Sequence, residues 1–106
     1  MMIRASFFYS KGGFCVGFEV LGHSGFAESG LDIVCSAVSC AVQMCCNGIT
    51  EIVKADAQIF VDPDKISLRV EKFDEKVQVL LESLRMQIDL LEKDYGENIS
   101  LLLLEV

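Results

Sequence analysis

The sequence predicts an α+β fold, a two-layer sandwich in ββαββαβ order with two helices on a mixed sheet of about five strands. Three observations lead there. Short segments alternate apolar and polar residues at the period of a strand. Two longer segments repeat apolar residues at the period of a helix. These helical segments interrupt pairs of strands that read as hairpins.

Residues 2–10 alternate through Ile3, Ala5, Phe7 and Tyr9, which suits a strand. Lys11-Gly12-Gly13 is a hairpin turn signal. Residues 14–21 alternate again, with Phe14, Val16, Phe18 and Val20 on one face and Cys15, Gly17 and Glu19 on the other. A glycine-rich loop over 22–31 leads into a helix over about 32–53. Strands over 56–61 and 65–71 flank Asp62-Pro63-Asp64, a turn by its proline and aspartates. The second helix covers about 74–95, with Val77, Leu80, Leu81, Leu84, Ile88 and Leu91 on one stripe. Gly96 can end it at the C′ position. Residues 98–105, NISLLLLE, read as a strand buried on both faces.

Length and composition bound the function. At 106 residues the chain is a single domain, 1–106. A hydrophobic content of 52% argues against disorder. No unbroken apolar run reaches the roughly 18 residues of a transmembrane helix, and the first residues lack a basic leader and a cleavage site. The expectation is a cytoplasmic protein with no membrane role. Five cysteines, four of them in one helical segment, are not a disulfide framework, so the thiols are expected to be reduced. A net charge of −7 disfavours direct nucleic-acid binding and suits a basic partner.

Chemistry concentrates in residues 22–40. With Asp32 as helix N-cap, Cys35 occupies the first turn, where the positive end of the helix dipole favours a thiolate. Cys40 and Cys45 lie at other angles, and Cys46 is ~16 Å along the helix, so they cannot share a metal with Cys35. They read as small buried hydrophobes. His23, the single histidine, follows a strand whose end lies at the edge where the Cys35 helix begins. A histidine beside such a cysteine is the minimum for thiol catalysis, taking the thiol proton and returning it to a leaving amine. A solvated loop histidine is the plainer alternative. Gly22, Gly25 and Gly30 divide the loop, with Ser24 and Ala27 between them and Phe26 as its one large apolar side chain. Such a loop can hinge over a ligand or serve only as a connector. Ser39, one turn beyond Cys35, supports the site or back-bonds to the helix. Asp32 caps the helix, orients His23 as a third member, or does both.

The stretch GHSGFAESGLDIVCSAVS, residues 22–39, closely resembles the signature of the bacterial ribosomal-processing cysteine protease family (Prp). The resemblance rests on the Gly-His pair, the small-residue loop, Gly-x-Asp-Ile-Val-Cys and the serine four positions on. It implies a single homodimeric cytoplasmic cysteine protease domain. The implied substrate is a basic large-subunit ribosomal protein precursor, whose short N-terminal extension is cut off beside an apolar, Phe-rich segment so that ribosomes can assemble. It implies Cys35 as nucleophile and His23 as general base. Gly22, Asp32 and Ser39 fall on positions the family keeps. The loop with Ser24, Gly25, Phe26, Ala27 and Gly30 resembles the family's mobile lid. No cofactor and no metal enter this reading.

Two rivals make different predictions. A non-catalytic, ribosome-associated dimeric binding module would tolerate loss of Cys35 and His23. A redox sensor would pair Cys35 with a second helix cysteine such as Cys40, a poor disulfide geometry at i, i+5.

Overall fold

Two antiparallel hairpins and one parallel ladder build the sheet. The computed structural model describes residues 2–22 and 29–106, with the backbone alone for 29–32. β1 (Ile3–Tyr9) pairs antiparallel with β2 (Cys15–Leu21), and β2 pairs antiparallel with β4 (Lys65–Arg69). β3 (Gln58–Asp62) forms the second hairpin with β4. β5 (Ile99–Glu105) lies parallel to β1, from Ile3↔Ile99 onward, and the order is β3-β4-β2-β1-β5. α1 (Ser29–Asn47) continues through a π-helical segment over Gly48–Val53, and α2 (Glu75–Asp94) precedes β5. The fold is the expected α+β arrangement of five mixed strands and two helices.

One sheet face is apolar and carries the core. Ile3, Ala5 and Phe7 of β1, Phe18 and Val20 of β2 and Leu68 of β4 are buried there. The helices meet them with Val34, Val38 and Val42 of α1 and Val77, Leu81, Leu84 and Ile88 of α2. Phe7 and Phe18 are direct cross-strand partners with ring centroids 5.7 Å apart. Burying each side chain of this size contributes about 1.5–3 kcal/mol.

Three expectations are corrected. The first concerns β2. Phe8 pairs with Gly17, but Tyr9 pairs with Cys15, so Val16 is an extra residue in a bulge. The bulge reverses the alternation before it. Cys15 turns into the core, while Phe14 lies outside it, edge-on to Phe73 at 5.6 Å. Gln78 of α2 clamps the bulge. Its side-chain oxygen accepts from the Cys15 N–H at 2.8 Å, and its side-chain NH₂ donates to the Cys15 carbonyl at 2.7 Å. Gly17 must be glycine, because a Cβ there would run into the Leu68 carbonyl oxygen.

The second correction concerns β5, which is an edge strand rather than a doubly buried one. Ile99 is buried, but Leu102, Leu103 and Leu104 are 42–55% exposed. Among the described residues, β1 is its only sheet neighbour. The third concerns α1, which begins at Ser29, three residues before the expected start. At the other end, Lys54 takes a left-handed conformation (φ 61°) and its N–H closes the π-helical segment onto the Ile49 carbonyl.

Candidate active site

β2 is followed by a residue held from two sides. Gly22 has φ 81°, a left-handed value that favours glycine. Its N–H donates to the Asp64 carbonyl at 2.7 Å. A Cβ on it would lie 2.9 Å from the Met2 carbonyl oxygen. Gly22 therefore sits between the start of β1 and the β3–β4 turn. The sequence marked Gly22 but not Asp64 or Met2, since both act through backbone carbonyls that any residue would supply.

β2 and β3 are parallel with β4 between them, so α1 crosses back over the sheet from the carboxyl end of β2. In such connections, the carboxyl ends of strands and the first turns of the following helix form one edge, a common place for ligands. Cys35 is the seventh residue of α1, packed into the core with Val34 and Val38 and 4% exposed. Ser39 is half-buried one turn further on. Gly30 and Asp32 belong to the first turn of α1. His23, Ser24, Gly25, Phe26 and Ala27 lie outside the described residues.

The early start of α1 changes the part given to Asp32. It is the fourth helical residue and not the N-cap. Ser29-Gly30-Leu31 contains no proline to bar a helix, so the winding begins a turn before the cap signal. An acidic residue in the first turn still complements the dipole. Cys35 moves with it, from the first turn to the second. A helical Cβ leans toward the N-terminus, so the Cys35 side chain is carried back toward the first-turn N–H groups.

The other thiols have different surroundings. Burial pushes Cys15 up to about 11 and Cys45 up to about 12. Cys46 is raised by the same cause. Cys15 donates to the Gly17 carbonyl at 3.4 Å and Cys45 to the Leu80 carbonyl at 3.5 Å. At neutral pH these are protonated donors, not nucleophiles. Cys40 departs from the expectation of a small buried hydrophobe, being exposed midway along α1. Among the described residues, no three His, Cys, Asp or Glu side chains form a metal-binding group.

The opposite end of the sheet is structural. Tyr9 donates to Glu82 Oε2 at 2.8 Å, and Arg85 Nε donates to Glu82 Oε1 at 2.6 Å. Burial and the Glu82 carboxylate raise the Tyr9 phenol well above its ordinary range. A depression of ≈ 350 Å³ beside Gln58, Arg69 and Phe73 also lies at that end.

Comparison with known proteins gives consistent matches over nearly the whole chain. A family described as cysteine protease Prp matches residues 2–100. The ribosomal processing cysteine protease Prp of Bacillus subtilis (strain 168) is 27% identical over 105 residues, covering 92% of this chain and 94% of that protein. SMU.848 from Streptococcus mutans has a TM-score of 0.90 at 26% identity, with all of both chains covered. The essential ribosomal processing protease Prp from S. aureus, solved with a covalently linked product peptide, has a TM-score of 0.86 at 25% identity. That match covers 96% of this chain and 99% of the other.

Proposed function

The chain belongs to the cysteine protease Prp family, and from that premise we propose that it is the endopeptidase that trims a ribosomal protein precursor, with Cys35 as nucleophile and His23 as general base. The observation that carries this reading is the family match over residues 2–100, which spans both side chains. The thiols of Cys15, Cys45 and Cys46 are pushed upward by burial. Cys40 faces away from the sheet. Cys35 is the cysteine nearest the carboxyl end of β2 along α1.

In this mechanism, His23 takes the Cys35 proton and Sγ adds to the scissile carbonyl carbon. The carbonyl oxygen becomes an oxyanion, stabilised by N–H groups in the first turn of α1, which lack acceptors within the helix. The C–N bond breaks as His23 protonates the departing amine. Water, deprotonated by His23, then hydrolyses the thioester and the proton returns to the thiol. Asp32 orients His23. Because Cys35 is 4% exposed, a peptide reaches Sγ only after neighbouring groups shift.

The substrate is the apolar, Phe-rich N-terminal extension of a basic large-subunit ribosomal protein, in the cytoplasm, and its removal serves ribosome assembly. The charge of −7 supports a basic substrate. The working unit is a homodimer. The test is incubation of the protein with the precursor from the same cell, read by mass spectrometry. Cys35→Ala and His23→Ala should each lower cleavage by ~100-fold or more. Full cleavage by either variant, or none by the native chain, refutes the assignment.

A further inference from the structure

β5 is a sheet edge with little of the usual protection. Over Ile99–Leu104 it holds no charge and no proline, and its ladder to β1 runs from Ile3↔Ile99 to Tyr9↔Glu105 without a break in register. Charges, prolines and bulges are the common means by which an edge is kept from pairing. β3, the other edge, is short, ends in Asp62 and runs into Pro63. Leu102, Leu103 and Leu104 of β5 are exposed.

Two hydrogen bonds give the direction of every main-chain group on β5. Ile3 N–H donates to the Asn98 carbonyl at 2.7 Å, and Val106 N–H donates to the Tyr9 carbonyl at 2.9 Å. A strand residue points its N–H and C=O to one side, and the next residue points to the other. The even-numbered residues from 98 to 106 therefore face β1, while Leu101, Leu103 and Glu105 face outward. The outward N–H of Leu101 is already occupied. It donates to Oε2 of Glu92, in the last turn of α2, at 2.9 Å. Among the described residues, no strand faces Leu103 or Glu105.

We propose that Glu92 guards this edge, and that what it holds off is β5 of a second copy of the chain. Antiparallel pairing about a twofold axis at Leu103 sets Leu103 against Leu103, Leu102 against Leu104 and Leu101 against Glu105. The apolar strand is thus complementary to itself. At each end the pairing needs the Leu101 N–H as donor to the Glu105 carbonyl of the second copy, and Glu92 already fills it. A carboxylate that accepts from a backbone N–H is among the stronger acceptors, so its displacement opposes pairing. The same register brings the Glu105 carboxylate of the second copy to Leu101, beside Glu92, where the like charges repel. An apolar segment of another protein is the competing occupant. It carries no carboxylate to that point, so the charge of the guard is matched to β5 itself. The inference is independent of the protease reading, and pairing through β5 would add to any association the native chain already has.

Sedimentation velocity and amide hydrogen exchange on the full chain, each over a concentration series, test the proposal. In the native protein the Leu101 amide should exchange roughly tenfold or more slowly than those of Leu103 and Glu105, at every concentration. Glu92→Ala keeps a good helix former in α2. It should free the Leu101 amide at low concentration, raise the association constant on the order of 100-fold, and double the native mass. In the associated variant the Leu103 and Glu105 amides should become protected. Adding Leu103→Lys to Glu92→Ala should restore the native mass, because it sets charge against charge at the axis. Should Glu92→Ala fail to fold, the exchange pattern of the native chain decides. Equal exchange at Leu101 and Leu103, or Leu103 protection that grows with native concentration, overturns the guard. A Glu92→Ala variant that keeps the native mass overturns it too, as does association that survives Leu103→Lys. A Glu92→Ala variant that stays at native mass yet protects Leu103 on addition of an apolar, Phe-rich peptide overturns the second copy as occupant.

Discussion

Cys35 and Cys40 sit five residues apart on one helix and meet opposite surroundings, one packed in the core and the other in solvent. The remaining thiols give a pH prediction. Cys15 and Cys45 titrate near 9 when unperturbed, and near 11 and 12 when folded. The native state therefore keeps its thiol protons to higher pH than the unfolded state. Their contribution to stability is complete below about 9 and is lost as pH rises through about 11 to 12. The urea midpoint should hold up to that lower bound and fall above it, with a smaller fall in Cys45→Ala. A midpoint that climbs over the same range would contradict the assigned cause. At this scale, the family was legible because its signature lies within one short stretch. The carbonyls around Gly22 were not, because neither the Asp64 acceptor nor the closely packed Met2 carbonyl leaves a mark in residue type.

α2 shows an element whose ends are written in its residues. Asp74 accepts from the Lys76 N–H at 2.8 Å and the Val77 N–H at 3.3 Å, and Gly96 follows the C-cap Tyr95. The expected span differs from the observed one by a single residue at each end. Asp74→Ala should lower stability by about 1 kcal/mol in urea denaturation without loss of cleavage. The other elements were less legible for identifiable reasons. At α1, a strong cap residue stood one turn inside a segment that could already wind. At β2, the bulge depends on the close approach of Gly17 to β4, a tertiary fact absent from local alternation. At β5, four successive leucines fit a central strand and an apolar edge equally well, since an apolar run carries no information on how many neighbours it gains.

The charge of the whole molecule sets how it should meet its substrate. With −7 on 106 residues, encounter with a basic precursor is electrostatically favoured and screened by salt. The value of kcat/KM should fall several-fold between about 0.05 and about 0.5 M salt, while kcat at saturation stays nearly constant. A salt-independent kcat/KM would show that steering plays no part. The architecture has a temporal side as well. The parallel β1–β5 ladder begins with Ile3 beside Ile99, partners far apart in the chain. The β1–β2 and β3–β4 hairpins are local and can form in about 1–10 μs, before that long closure. On a growing polypeptide the sheet stands four-stranded until β5 is synthesised, with one edge of β1 unpaired. During that interval the outer edge of β1 is an open template, which β5 covers last.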